Sequence, residues 1–495
     1  MPSHRPQRAA VIGAGISGIA VAAHLKREGL DVTVFERSSA AGGIWLFDER
    51  KPIEPRYPSI TASDAEEPYD GAVAGNTKIA EALRHAPPGP CYIGLKNNVG
   101  TRLLQTTLNP FPSGTPDFVS HSVLKDYIQD TAVQTGVEPL TQYNTEVKSV
   151  TKIGKRWTVQ TVNLTAVEAS HARQKPSTEE FDAVVVASGH YHAARVPDIP
   201  GLSDWKRKWP NRVQHSKAYR SPDDFKGIGK NYLLIGGSVS ATDIARELGP
   251  QAHNIYQSHR NGAFDLPASL LPDNAVRIEE VESFDTPSEG KETGLSREID
   301  PIPATVTLKS GHKLCDLHHV ILCTGYHITL PYLPHLHADN IRPEDADNEV
   351  LVTDGLQYHN LHKDIFYIPD PSLIFVGVPY FTATFTLFEF QAMVVAKVLS
   401  GQAKLPTEAE MRREYQDRVA AKGYGKGFHS LRDKEVEYVN ELLEWVNKDL
   451  EREGLRKLEG HSKIWHEAKE EQVERMKAMF SGEARPGKPI EVVCY

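Results

Sequence analysis

Residues with the spacing for nucleotide chemistry occur twice in this chain. Gly13-Ala14-Gly15-Ile16-Ser17-Gly18 and Gly236-Gly237-Ser238-Val239-Ser240-Ala241 each follow an apolar run and open a helix-like run. Such a turn bends the backbone sharply, lets a pyrophosphate approach it, and aims the free N–H groups and dipole of a helix N-terminus at the anion. One such turn binds one dinucleotide; two imply that two dinucleotides are brought together.

The residue closing each unit separates the two sites. Glu36 ends the strand-like run Val32 to Phe35, and a carboxylate there accepts hydrogen bonds from both ribose hydroxyls and repels a 2′-phosphate. The first unit, with Gly13, Gly15 and Gly18, therefore favours FAD or NAD over NADP. Gly42-Gly43-Ile44-Trp45 follows as a second close-approach loop, in which Trp45 can also serve as core. The second unit ends instead in Ser258-His259-Arg260, and the planar fork of Arg260 suits a 2′-phosphate, which points to NADP(H). Ser238 and Ala241 replace the second and third glycines with other small residues, and Ser240 begins the helix.

The elements that position these residues follow from pattern. Ala9 to Ile12, Ile16 to Arg27 and Val32 to Phe35 read as strand, helix and strand; Tyr232 to Ile235, Ser240 to Leu248 and Asn254 to Gln257 repeat that order. Between the units, the prolines from Pro52 to Pro90 exclude long helices and leave room for a short one over 76–84. A hairpin is predicted over Glu146 to Asn163 around Gly154-Lys155, then a buried strand over Ala183 to Ala187 ending in Ser188-Gly189-His190. A second hairpin around Ser310-Gly311 and a strand over His319 to Leu322 lead to Cys323-Thr324-Gly325-Tyr326. These two strand-to-Ser/Thr-Gly turns read as crossings between domains. The fold class expected is α/β, with two dinucleotide-binding Rossmann-like domains, the second inserted into the first, and C-terminal helices. The expected boundaries are 1–199, 200–320 and 321–495. Beyond Pro379 the pattern is helical: an apolar core helix over Phe381 to Ser400, an amphipathic helix bearing Val436, Val439, Leu443, Val446 and Leu450, and a charged helix over 463–480.

Composition sets outer limits. The 495 residues are 40% hydrophobic and 24% charged, with 56 basic and 65 acidic residues giving a net charge of −9, which suits an enzyme of two or three domains. No basic run interleaved with aromatics suggests nucleic-acid binding. Cys91, Cys315, Cys323 and Cys494 form no CxxC or metal-ligand spacing, so reduced thiols, a cytoplasmic setting and no metal are expected. A first turn beginning at Gly13 leaves no room for a signal peptide, and Asn163-Leu164-Thr165 is then not a glycosylation site. The most apolar stretch, Leu373 to Phe388, is broken by Pro379 and too short to span a bilayer. The sequence leaves a homo-oligomer open.

With these motifs in place, the chain resembles the flavin-containing monooxygenases, the class B flavoproteins that use FAD and NADPH. Trp209-Pro210-Asn211-Arg212-Val213-Gln214-His215-Ser216-Lys217-Ala218-Tyr219 is similar to the family pattern Phe-x-Gly-x-x-x-His-x-x-x-Tyr. Asn211 stands for the glycine, a change that a positive φ would tolerate. Leu322-Cys323-Thr324-Gly325-Tyr326 with Pro331 resembles the family's second crossing signature, and Tyr92 with Leu95-Lys96-Asn97-Asn98 resembles the stretch that places an asparagine near the flavin.

The resemblance implies roles residue by residue. Asn98 becomes the candidate catalytic residue, a hydrogen-bond donor to the oxygen being transferred or to substrate. Gly13, Gly15, Gly18, Glu36, Arg37, Gly43, Trp45, Val147 and Gln391 become the FAD set. Gly236, Ser238, Ser240, Ser258, Arg260, His215 and Tyr219 become the NADPH set, with the last two positioning cofactor rather than moving protons. It also implies the reaction: NADPH reduces the flavin, O2 adds as a C4a-hydroperoxide, and one oxygen passes to a nucleophilic nitrogen or sulfur of a small substrate. The layout resembles that of microbial members that tailor natural-product intermediates. Enzymes that instead insert oxygen beside a ketone, the Baeyer–Villiger alternative, usually end the His motif in tryptophan or in proline before aspartate, where this chain has Tyr219-Arg220. A disulfide reductase would share both nucleotide units but needs a close cysteine pair, and a non-catalytic flavoprotein scaffold would consume no NADPH.

Overall fold

A computed structural model describes residues 6–66, 78–164, 176–226, 231–285, 297 and 299–480. Cys494 and the Thr165 of the Asn163 sequon lie outside the described residues, as do Asn76 and Thr77 of the expected short helix.

The chain opens with strand β1 (Arg8–Ile12), helix α1 (Ile16–Arg27) and strand β2 (Asp31–Phe35), with Ile12 opposite Phe35 in a parallel pair. Glycine is required at the turn between β1 and α1. Gly13 has φ +106°, and a Cβ there would lie 2.6 Å from the Ala187 carbonyl oxygen. A Cβ on Gly18 would lie 1.8 Å from the Gly13 carbonyl, so the helix can sit this close to the strand only without one. The short helix α2 spans Lys78–His85. Helix α3 (His121–Thr135), which the periodicity had not singled out, buries Leu124, Tyr127 and Ile128 and stops at Gly136 in the left-handed conformation.

Strand β3 (Thr141–Gln142) extends the first sheet, and β4 (Thr145–Ile153), β5 (Arg156–Asn163) and β6 (Ser177–Phe181) form a separate antiparallel layer that includes the predicted hairpin. Strand β7 (Ala183–Val186) is apolar and buried on both faces, as a central parallel strand must be, and pairs with β1. After β8 (Ala193–Ala194) and helix α4 (Leu202–Lys208), the second unit supplies β9 (Val213–His215), β10 (Asn231–Ile235), α5 (Val239–Leu248), β11 (Asn254–Ser258) and β12 (Ala275–Ile278). Strands β13 (Val281–Phe284), β14 (Val306–Leu308) and β15 (Lys313–Leu314) form a small antiparallel sheet, its tight turn made at Gly311 with φ +87°.

Strand β16 (His319–Leu322) returns to the centre of the second sheet, whose order is β12-β11-β10-β16-β9, parallel throughout. Strand β17 (Tyr326–His327) then pairs antiparallel with β8, so the two crossing segments lie side by side between the sheets. Strands β18 (Leu361–His362), β19 (Phe366–Tyr367) and β20 (Leu373–Phe375) complete the first sheet in the order β18-β19-β20-β7-β1-β2-β3. The fold is thus α/β with two Rossmann-like units and C-terminal helices.

The expected core helix is α6, confined to Thr384–Leu399 because the chain turns at Phe381, where φ is +57°. It packs along α1 and carries the largest core cluster with it. Helices α7 (Glu408–Lys422), α8 (Glu435–Arg452) and α9 (Lys463–Phe480) follow. A Thr407 capping box starts α7, and α8 buries Val439, Leu442, Val446 and Leu450. Asn211 is not among the positive-φ residues, so its replacement of glycine needs no left-handed backbone.

Candidate functional site

The first glycine turn and the Gly42-Gly43 loop meet backbone to backbone. The Gly42 N–H donates to the Ala14 carbonyl at 3.0 Å, and a Cβ on Gly43 would come within 3.1 Å of the Gly15 Cα. Glu36 is buried and accepts from the N–H groups of Ala14 at 2.7 Å and Ser38 at 2.8 Å. A wall of bare backbone beside a carboxylate at the end of β2 fits the pyrophosphate and ribose of FAD. Arg37 borders a cavity of about 440 Å³ and lies 3.6 Å from Glu66. Trp45 packs edge-on against Phe385, so it serves the core while flanking the Gly43 loop. Val147 lies half-buried at a register shift in β4.

Gln391 lies on α6. It is fully buried; its amide oxygen accepts from the Gly377 N–H at 3.0 Å and its amide nitrogen donates to the Tyr438 hydroxyl at 2.8 Å. The amide thus joins the loop after β20, where Gly377 holds φ +100°, to Tyr438 on α8.

At the second turn, Gly236 has φ +134°, and a Cβ there would lie 2.3 Å from the Cys323 carbonyl oxygen. Ser238 caps α5 in extended conformation and Ser240 is exposed in its first turn. Ser258 is turned inward: its hydroxyl donates to the Glu279 carbonyl at 2.9 Å and accepts from the Val281 N–H at 3.2 Å. It fastens β11 to the segment of Glu279 and Val281. Arg260 is 78% exposed and its Nε makes a long ion pair, 3.9 Å, with Glu280.

The stretch from His215 to Arg220 runs between these sites. His215 is buried, its Nδ1 accepts from the Lys217 N–H at 3.1 Å, and its Nε2 has no partner. Burial, reinforced by Lys217, pulls its pKa down to about 3, so the imidazole is neutral and suited to accept or donate a hydrogen bond rather than to carry charge. Tyr219 is fully buried, donates to Glu247 Oε2 at 2.7 Å, and packs edge-on against Tyr92. Arg220 donates to the carbonyls of Arg50, Lys217 and Tyr219 at about 3 Å, leaving Nη2 without a partner. Unpartnered buried donors cost roughly 1–3 kcal/mol each, a cost that fits a site completed by a polar ligand.

The candidate asparagine lies one residue from a structural one. Asn97 is buried, donates to the carbonyls of Val99 at 2.7 Å and Asp117 at 2.6 Å, and accepts from the Val119 N–H at 2.6 Å. Asn98 is exposed. The Ile93 N–H donates to the Arg220 carbonyl at 2.9 Å, so the loop bearing Asn98 is tied to the His215 stretch.

Sequence reasoning missed an aromatic series along the crossing. His215 faces Tyr326 at 5.4 Å, Tyr326 faces Tyr191 at 5.6 Å, Tyr191 faces His190 at 4.4 Å, and His190 faces Tyr380 at 6.5 Å. Only the aromatic ends of the two Ser/Thr-Gly turns hinted at it.

The comparisons decide the family. A flavin-binding monooxygenase-like family model matches residues 91–270, and an NAD(P)-binding Rossmann-like domain model matches residues 11–60. The flavin-containing monooxygenase ustF2 of Aspergillus flavus is 48% identical over 95% of this chain and 98% of its own length. The chain belongs to the flavin-containing monooxygenase family. A second relative, the flavin-containing monooxygenase iboF of Amanita muscaria, is 29% identical over 89% of this chain and 88% of its own. Among solved structures, S-allyl-L-cysteine S-oxygenase from Allium sativum shares the fold at TM-score 0.67 and 24% identity, over 96% of this chain and 95% of that one.

As a flavin-containing monooxygenase the protein is an NADPH-dependent oxidoreductase with FAD and NADPH as cofactors, using O2 and a small substrate. Among the described residues no group of three or more His, Cys, Asp or Glu side chains is placed to hold a metal, and no helix is long and apolar enough to cross a membrane. Cys91 and Cys323 are buried, and burial pushes both thiols up to about 12.

Proposed function

We propose that this flavin-containing monooxygenase transfers oxygen to a nucleophilic nitrogen or sulfur of a small organic substrate. The observation that carries the reading is the end of the His215 motif, Tyr219-Arg220, where ketone-directed members usually carry tryptophan or proline before aspartate. Both residues are buried and hydrogen-bonded, Tyr219 to Glu247 on α5 and Arg220 to the carbonyls of Arg50 and Lys217.

When bound, FAD reduced by NADPH supplies the oxygen activation. The rest is the work of this chain's residues. Backbone amides at the Gly13 turn would hold the FAD pyrophosphate, and Glu36 its ribose. Gly236, Ser238 and Ser240 would hold the NADPH pyrophosphate, and Arg260 the 2′-phosphate. His215 stays neutral and would position the cofactor, while the exposed carboxamide of Asn98 would supply a hydrogen-bond donor to the substrate. The aromatic series from Tyr326 to Tyr380 lines the crossing.

Purified FAD-loaded protein assayed with an amine, a thioether and a ketone tests the substrate class. Oxygenated amine or thioether is expected; product from the ketone alone would establish the Baeyer–Villiger alternative.

A further inference from the structure

Helix α9, near the end of the chain, packs against the loop that carries Asn98. Trp465 is buried in the first turn of α9, and its indole Nε1 donates to the Leu103 carbonyl at 3.2 Å across 362 residues of sequence. Leu103 belongs to a single turn of helix, Thr101–Leu104, that begins three residues beyond Asn98. The Thr386 hydroxyl on α6 donates to the same carbonyl at 3.0 Å. With Ala383 and Ala468, Leu103 and Trp465 form a small apolar cluster, and Val99, the residue next to Asn98, packs against it. The His461 ring stacks on Trp465 with centroids 3.6 Å apart, which fixes the indole.

Farther along α9, charge ties down the same loop. Arg102 presents one guanidinium to two carboxylates: Nη1 and Nη2 donate to Glu471 at 3.2 and 2.6 Å, while Nε and Nη2 donate to Asp117 at 3.1 and 2.6 Å. Asp117 lies on the returning limb of the loop, where its carbonyl accepts from the Asn97 carboxamide at 2.6 Å and from the Thr101 N–H at 3.0 Å. One turn beyond Glu471, the guanidinium of Arg475 covers the exposed ring of Phe118 at 4.3 Å. Both limbs of the loop are therefore held by α9, Val99 to Leu103 on one side and Asp117 and Phe118 on the other.

Asn98 itself is exposed, so its carboxamide is placed by the backbone that carries it and not by packing of its own side chain. We infer that α9 is a positioning element for the oxygen-transfer step, with Trp465 and Glu471 as positioning residues that act through the loop to hold the Asn98 carboxamide where it meets the substrate. A donor displaced by about 1 Å leaves the range of a good hydrogen bond. NADPH, O2 and a proton then yield NADP+ and hydrogen peroxide, with no oxygen passed to the substrate. The inference rests on Asn98 as the residue that meets the substrate.

Two mild substitutions in the full, FAD-loaded chain test it. Trp465→Phe keeps an aromatic ring and removes the indole donor; Glu471→Gln keeps the shape and removes the charge. By hydrogen–deuterium exchange with mass spectrometry, peptides spanning 97–104 are expected to exchange about tenfold faster in Trp465→Phe, with peptides of the Gly13 and Gly236 turns unchanged. With thioanisole and N,N-dimethylaniline as probe substrates, product per NADPH consumed should fall at least about threefold and hydrogen peroxide rise to match, while the anaerobic rate of flavin reduction by NADPH stays the same. Glu471→Gln should show the same pattern at smaller amplitude. Unchanged exchange in Trp465→Phe would overturn the proposal. Faster exchange with unchanged product per NADPH would do so too, leaving α9 as scaffold alone. Asn98→Ala keeps the two readings apart, since it should lower product per NADPH without altering exchange. If it lowers nothing while Trp465→Phe does, another residue of the loop takes the role and α9 remains its positioning element.

Discussion

Tyr219 donates its buried hydroxyl to Glu247 Oε2 at 2.7 Å, joining the end of the His215 motif to the helix that opens at the second glycine turn. Burial raises the pKa of Glu247, with the Tyr219 bond opposing the rise, so the carboxylate depends on this donor. Tyr219→Phe leaves that acceptor part-buried and short of a donor, and is expected to cost about 1–2 kcal/mol in unfolding free energy. FAD content should be unchanged while NADP+ affinity falls. Denaturant unfolding and nucleotide titration read the two effects separately.

Glu36 is the acceptor for two backbone amides at the first turn, Ala14 at 2.7 Å and Ser38 at 2.8 Å. Glu36→Ala removes the ribose partner and orphans both N–H groups. The expected result is protein purified largely without flavin, with FAD affinity lowered at least about tenfold by fluorescence titration. Full flavin occupancy would contradict the role given to this carboxylate.

Asn97 and Asn98 are neighbours with different tasks. Asn97→Ala deletes three buried hydrogen bonds and is expected to destabilise the fold by about 2–4 kcal/mol, seen as a lower midpoint of thermal unfolding. Asn98→Ala should leave stability and flavin reduction intact and lower the product formed per NADPH consumed. Unchanged coupling in Asn98→Ala removes it from the reaction site.

Acid should weaken the fold through its buried histidines. His215 titrates at about 3, and His190 and His359 at about 4, all lowered first by burial. The unfolded chain, with histidine near 6.5, binds more protons between those values, so stability is fully present above about pH 6.5 and is lost as pH falls toward 3. Glu66 adds in the same direction, its pKa depressed by His192 and Arg37 against burial, in the window below its ordinary value of 4.5. Thermal unfolding followed from pH 7 to pH 4 should show a falling midpoint, with a shallower fall in His359→Gln.

The parts of the fold legible in the sequence were those written locally. Gly13 and Gly18 are forced by a strand and helix that nearly touch, and Glu36 by its place at the end of β2, so spacing alone exposes them. The same holds for the alternation of strand and helix that gives both parallel sheets. Helix α3 escaped because its polar residues interrupt the apolar face. Ser258 and Gln391 have residue types that suit ligands, yet their hydrogen bonds are spent on Glu279, Gly377 and Tyr438, partners that spacing does not predict.

The central claim, oxygen transfer to nitrogen or sulfur driven by NADPH, is tested most directly with labelled dioxygen. FAD-loaded protein turning over NADPH under 18O2 with an amine or a thioether should yield an N- or S-oxygenated product carrying one labelled atom per molecule by mass spectrometry. Label found only in a lactone or ester formed from a ketone, or NADPH consumed with no labelled organic product, would contradict it.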